Sequence, residues 1–461
     1  MKYVSTRGTA PEVDFEGALL TGLAPDGGLY VPVSWPGLPE LEPDASYAEV
    51  AAAVVAPFVD GVFSHDEILR FASDVYGRFR HEAVAPLRPL GEGEILLELF
   101  WGPTLSFKDY ALQLVGRLFD ELLQRRGERV TVIGATSGDT GSAAIDALRD
   151  LDSIEVVMLH PEGRVSDVQR RQMTTVLSPN IHNVAVRGTF DDCQDLVKAV
   201  FADHELRAEI RPAAVNSINW ARIMSQIAYY VWSAHRIGAM DESVAYAVPT
   251  GNFGNVFSAY GARKMGVPIS QLIVGNNANH GLADFLNSGR LPIGTVVPTL
   301  APAMDIQVPS NLERLLFDVY ERRGELLAAL MGDYRAAGSL DVMPVQMASI
   351  SSLFDAGHAT DDEILAVIRD VYHETGVVVD PHTAAGIVAG RALRRDHDQQ
   401  LVFIATAHPA KFPQAIESVL RLEPDLPDGL DDLMERDERY EVIETEFEAV
   451  ARIARRVARS D

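Results

Sequence analysis

Lys108 stands in Phe107-Lys108-Asp109, after the turn Gly102-Pro103 and the apolar run Ile95-Leu96-Leu97. A helical pattern follows, through Ala111, Leu112, Leu114, Val115, Leu118 and Phe119, so the lysine is expected where a connection enters a helix. A lysine held against apolar neighbours has a lowered pKa, because desolvation disfavours its charged form. A neutral amine can form a Schiff base with an aldehyde. Taken alone, a lysine at a helix start reads more readily as a solvated surface charge.

Two Gly-rich stretches reverse that judgement. The first, Gly134-Ala135-Thr136-Ser137-Gly138-Asp139-Thr140-Gly141, follows the β-branched run Val130-Thr131-Val132-Ile133 and opens a helix. Backbone N–H groups at such a helix start suit a carboxylate or phosphate. Asp139 is also a natural N-cap. The second, Val248-Pro249-Thr250-Gly251-Asn252-Phe253-Gly254-Asn255, follows the apolar run Val244-Ala245-Tyr246-Ala247 and precedes a helix through Val256, Phe257 and Tyr260. It is another anion nest at a strand-to-helix turn. It lacks the Gly-Lys-Ser/Thr of a P-loop and is not the dinucleotide fingerprint.

In this order, with the flanking segments, these motifs resemble the threonine synthase family, pyridoxal-phosphate enzymes of the tryptophan-synthase-β-like fold (fold type II). The resemblance begins at Tyr3-Val4-Ser5-Thr6-Arg7-Gly8 and Asp26-Gly27-Gly28-Leu29-Tyr30. It runs through Asn216-Ser217-Ile218-Asn219-Trp220-Ala221-Arg222 and Asp380-Pro381-His382-Thr383-Ala384, and ends at Ala405-Thr406-Ala407-His408-Pro409-Ala410-Lys411-Phe412. It implies two doubly wound α/β units with the cofactor in the crevice between them, plus a smaller N-terminal domain. The expected ranges are 1–92 for the N-terminal domain, 93–120 with 215–461 for the cofactor-binding domain, and 121–214 for the small domain.

The resemblance also implies a role for each site residue. Lys108 is the Schiff-base lysine and the base that removes the Cα proton. Gly251, Asn252, Phe253, Gly254 and Asn255 hold the cofactor phosphate, and Thr406 meets the pyridine nitrogen with a neutral hydroxyl. Thr136, Ser137, Gly138, Asp139 and Thr140 hold the substrate carboxylate, while Ser217, Asn219 and Arg222 line the substrate side. Some relatives carry Asn in place of Asp139; an ionised Asp cannot donate a hydrogen bond. The substrate phosphate needs cationic donors, for which Arg164, Arg170, Arg171, Arg222 and Lys411 are candidates. Phe100-Trp101-Gly102-Pro103-Thr104 departs from the usual Phe-His-Gly-Pro-Thr. Trp101 is expected to pack at the rim without proton transfer, since an indole N–H only donates.

The implied activity converts O-phospho-L-homoserine and water to L-threonine and phosphate, the last step of threonine biosynthesis. The alternatives are a pyridoxal-phosphate phospho-lyase, a threonine/serine dehydratase, or a non-catalytic scaffold that binds the cofactor.

Composition agrees with an enzyme of this size. The chain has 461 residues, 47% hydrophobic and 23% charged, enough for more than one core. A net charge of −26 argues against nucleic acid and anionic membranes as partners, which need basic patches. The single cysteine, Cys193, excludes an intramolecular disulfide and reads as a structural thiol. Histidines show no metal-ligand spacing, so no metal is expected. No apolar run approaches about 18 residues and no leader segment is evident, so a cytoplasmic monomer or homodimer is expected. Strands are expected at Val130 to Ala135, Ile154 to Leu159, Ile181 to Val186, Ala213 to Ser217, Val244 to Val248, Gln271 to Gly275 and Leu401 to Ala405. The acidic stretch Glu423 to Glu446 is expected to be a solvated face.

Overall fold

The computed structural model describes residues 1–240 and 242–458. It divides into two compact units, one of Met1–Gly102 and Ser217–Glu423, the other of Pro103–Asn216 and Pro424–Asp461. The expected 215–461 segment includes Asp241 and residues 459–461, which lie outside the described residues. Residues 103–120, 215–216 and 424–458, expected with the cofactor-binding domain, group with the other unit.

The first unit is built on a six-stranded sheet. Its order is Phe354–His358, Ile269–Asn276, Val244–Pro249, Gln400–Ala405, Glu94–Glu98 and Leu87–Gly91. All neighbours are parallel except the last pair. Apart from Ser270 and Gln400, its central strands are buried, and each carries an apolar run, as covered parallel strands do. Leu96, Ala247, Ile273 and Phe403 pack with Ala384, Ala385 and Ile387 of the helix Pro381–Leu393. That helix lies tight on the sheet. A Cβ at Gly275 would come within 2.8 Å of the Ala385 carbonyl oxygen, and one at Gly386 within 3.1 Å of Pro249.

The N-terminal residues belong to this unit as well. Trp220, fully buried, meets the rings of Tyr3 and Phe58 at a tilt and that of Trp35 edge-on, at 5.7–6.1 Å. Arg7 makes a buried two-point pair with Glu313. The helix Trp220–Arg236 is therefore covered on nearly every side through Ala234, which explains its apolar composition.

The second unit is a fully parallel five-stranded sheet in the order Glu441–Glu444, Ile181–Arg187, Ile154–Pro161, Val130–Ala135 and Pro212–Ala213. One face packs Ile133, Val157 and Val184 against Leu196 and Val200 of the helix Phe190–Ala202 and Val450 and Ala454 of Phe447–Ala458. Cys193 lies in this core, and burial pushes its thiol up to about 12, as a structural role requires. The helix Asp139–Leu148 packs on Ile154–Pro161 and on the helix Lys108–Arg126.

Two expectations need correction. The strand near residue 213 ends at Ala213 rather than Ser217, because the chain then turns toward the cap of the next helix. The acidic C-terminal stretch is only partly a solvated face. Glu441–Glu444 joins the sheet as an edge strand, and Glu438 accepts from Arg170, Arg171 and Thr174.

Candidate active site

Lys108 is the first residue of its helix and is 8% exposed. Its Nζ lies 3.3 Å from Asp139 Oδ2 and 4.8 Å from the centre of the Phe107 ring. The turn before it is fixed by Asp109, fully buried, whose carboxylate accepts from the Thr104 N–H and hydroxyl at 2.8 and 2.6 Å. Asp109 thus sets where the lysine enters the helix. Leu105, at φ 62°, makes that turn in a conformation costly for a bulky residue.

Asp139 is not an N-cap, the alternative that the sequence left open. Gly138, at φ 142°, holds that position, and no side chain caps the helix there. Asp139 opens the helix and turns its carboxylate to Lys108 and to Gln169, whose Nε2 donates at 2.8 Å. The turn is closed by Thr136, whose hydroxyl accepts from the N–H groups of Gly138 and Gly141. Ser137 and Thr140 are the more accessible members of this loop.

In the first unit, the loop Gly251 to Asn255 leaves the strand Val244–Pro249 and enters the helix Gly254–Met265. Phe253 sits at φ 65° and is 1% exposed, a strained conformation for a large side chain. A Cβ at Gly251 would lie 2.8 Å from the Ala303 carbonyl oxygen, so only glycine fits. Asn311 donates from Nδ2 to the carbonyls of Asn252 and Ser217, which brings Ser217 to the loop. The Asn255 Oδ1 accepts from the hydroxyls of Tyr229 and Tyr230, while its buried Nδ2 has no protein partner.

Arg222 lies on the helix Trp220–Arg236 and is 3% exposed. Its Nε and Nη1 meet no acceptor, and burial pushes its pKa down to about 10. A buried guanidinium in this condition needs an anion. Asn219 differs from expectation: its Oδ1 caps the Ala221 N–H and its Nδ2 donates to the Leu19 carbonyl, so it serves the fold. Among the other cationic candidates, Arg164 is exposed, Arg170 and Arg171 face Glu438, and Lys411 is fully buried.

Thr406 follows the strand Gln400–Ala405, is 6% exposed, and donates its N–H to the Thr383 hydroxyl at 3.2 Å. The first unit thus offers a glycine-lined nest and a neutral hydroxyl, and the second unit a primary amine, the donor types that pyridoxal phosphate takes.

Three family models cover most of the chain: threonine synthase N terminus over residues 2–76, pyridoxal-phosphate dependent enzyme over 81–329, and threonine synthase, C-terminal over 383–453. A threonine synthase of Pseudomonas aeruginosa is 49% identical over 462 residues, covering 98% of this chain and 97% of that one. The chain belongs to the threonine synthase family. The threonine synthase of Brucella melitensis, solved with pyridoxal phosphate bound, matches at TM-score 0.96 and 45% identity over the whole of both chains. The yeast threonine synthase matches at TM-score 0.92 and 35% identity, covering 99% of this chain and 98% of that one. This family membership makes the chain a pyridoxal-phosphate enzyme.

Trp101, where the threonine synthase pattern usually has His, is half-buried and donates from Nε1 to Glu98 at 2.8 Å. Rings of His81, Phe100 and His408 surround it at 5.3–6.4 Å. Burial pushes the Glu98 carboxyl up, and the indole bond offsets part of that. Trp101 is a packed donor with no titrating group. Trp101→His should change turnover by less than about tenfold, or ~1.4 kcal/mol of barrier. Steady-state rates with phosphohomoserine check this. A gain of about a hundredfold would show that an imidazole here takes part in the chemistry.

Sequence reasoning missed Gln169, Asn311 and the roles of Asp380, His382 and Thr383. Only Asp380-Pro381 carried a local signal, since Asp before Pro marks a helix N-cap with Pro at the first helical position.

Proposed function

We propose that Lys108, the nest Gly251 to Asn255 and Thr406 bind pyridoxal phosphate, and that Arg222 receives the phosphate of O-phospho-L-homoserine. The reading is threonine synthesis from that substrate and water, with release of inorganic phosphate. Arg222 is the observation that carries it. A dehydratase acting on an unphosphorylated amino acid has no use for a buried guanidinium with two N–H groups unmet.

Pyridoxal phosphate, when bound, supplies storage for the electrons left when a proton departs next to the substrate nitrogen. The chain's own residues do the rest. The Lys108 amine, held by Asp139 in the resting protein, takes the Cα proton once deprotonated. Ser137 and Thr140 present the helix start to the substrate carboxylate. Arg222 holds the phosphate as it leaves Cγ, where charge builds on the departing oxygens. A neutral hydroxyl at Thr406 favours an unprotonated ring nitrogen, and so a weaker electron sink.

The test is incubation of the purified holoenzyme with phosphohomoserine, with separate assays for threonine, 2-oxobutyrate and phosphate. Threonine and phosphate in equal amounts are expected. Phosphate with 2-oxobutyrate and no threonine would point to the phospho-lyase alternative. Thr406→Asp would favour a protonated ring nitrogen and should lower the threonine yield while raising 2-oxobutyrate. An unchanged rate and product ratio would remove Thr406 from the ring nitrogen.

A further inference from the structure

Asp380 is fully buried and caps the helix Pro381–Leu393. Its two oxygens serve two different neighbours. Oδ1 accepts from the His382 N–H at 2.9 Å and from His382 Nδ1 at 2.8 Å. Oδ2 accepts from the hydroxyl and N–H of Thr383. Each neighbour then reaches a separate place. His382 Nε2 accepts from the Ala303 N–H at 3.1 Å, which assigns the donor role toward Asp380 to Nδ1. Ala303 is the residue whose carbonyl oxygen blocks any side chain at Gly251. The Thr383 hydroxyl accepts from the Thr406 N–H at 3.2 Å.

We infer that Asp380 is a positioning residue that sets both ends of the cofactor site through two arms. One runs through His382 and Ala303 to the wall of the Gly251 loop. The other runs through Thr383 to Thr406. The inference rests on the assignment of that loop to the cofactor phosphate and of Thr406 to the ring nitrogen.

The geometry explains why the acceptor is a carboxylate. Four donors converge on it, all from His382 and Thr383, and each of these residues also holds a second partner. Asn in its place would present an NH2 where an acceptor is needed. A fully buried carboxylate meeting this many donors is held in one orientation, and its hydrogen bonds are the strong, charge-assisted kind. Neither arm touches the reacting atoms, so their effect is on where the cofactor sits.

Two ligands separate the arms: pyridoxal phosphate, and pyridoxal, which lacks the phosphate. Dissociation constants are measured by absorbance on apoenzyme prepared from the full chain. His382→Phe keeps a ring against Phe412, which lies 4.9 Å away, but loses both hydrogen bonds. It should weaken pyridoxal phosphate by about five- to tenfold and leave pyridoxal unchanged. Thr383→Val should weaken both ligands alike and shift the visible absorbance of the bound cofactor. Thr383→Ser, which keeps the hydroxyl, should restore the wild-type spectrum. Asp380→Asn should show both effects together, and if it fails to fold the two single arms still decide the matter. Equal loss for both ligands in His382→Phe would overturn the phosphate arm. A wild-type spectrum in Thr383→Val would overturn the ring arm. Should the wild-type chain bind pyridoxal as tightly as pyridoxal phosphate, the assignment of the loop itself would fail instead.

Discussion

Lys108→Ala is expected to lower turnover by about 10^4-fold or more, roughly 5 kcal/mol of barrier. Two functions go together: the amine that bonds the cofactor aldehyde and the base that takes the Cα proton. Residues acting as one unit lose activity almost completely on single removal. The variant also takes an ammonium away from Asp139, which is 5% exposed, and so should lose about 1–3 kcal/mol of stability. Lys108→Arg separates the two effects. It retains a cation for Asp139 but cannot supply a neutral amine, because guanidinium stays protonated. It should melt near the wild-type temperature and remain inactive. Borohydride reduction of the wild-type holoenzyme followed by peptide mapping should place the label on Lys108. A label on any other lysine would reassign the site.

The second large effect belongs to Arg222, and its two parts have opposite signs. Arg222→Met should raise KM for phosphohomoserine by about a hundredfold, the scale of a lost charge-assisted contact worth ~3 kcal/mol. Stability of the unliganded protein should hold or rise. The pKa depressed to about 10 means that the charge is held at a cost in the folded state, which a methionine of similar length does not incur. Inorganic phosphate should raise the melting temperature of wild type and not of the variant. If Arg222→Met melts well below wild type with KM unchanged, the guanidinium is a structural group.

The parts of the site that the sequence made legible were local ones. Lys108, the Thr136 to Thr140 turn and the Gly251 to Asn255 turn each lie within a few residues of a strand end or helix start, where residue type and backbone need agree. The central parallel strands were legible for a similar reason, since burial on both faces leaves a continuous apolar run. Phe354–His358 was not, because an edge strand reading Phe-Asp-Ala-Gly-His has no such run. Glu94–Glu98 passed for a lead-in to the lysine. The supporting residues were illegible because their partners are distant in sequence. Gln169 meets Asp139 across 30 positions, Asn311 meets Asn252 across 59, and Ala303 meets His382 across 79. For Asp139 the sequence left a cap open as an alternative to the carboxylate loop, because it shows a helix start but not the lysine and the glutamine that meet the side chain.

The edge strand Glu441–Glu444 has a consequence for synthesis of the chain on the ribosome. Its partner Ile181–Arg187 is complete some 250 residues earlier, and at ribosomal speed the strand that covers it arrives roughly ten to fifty seconds later. The helix Phe447–Ala458, which seals Val157 and Val184, comes later still. Throughout that interval the nascent second unit carries an open parallel edge and an uncovered apolar face, the two features that invite pairing with another chain. The first unit cannot close in the meantime, since its strand Gln400–Ala405 is also late and must insert between Val244–Pro249 and Glu94–Glu98. Both sheets therefore reach their final order only after residues 400–405 and 441–444 have emerged, and until then each leaves strand edges open to pairing with another chain.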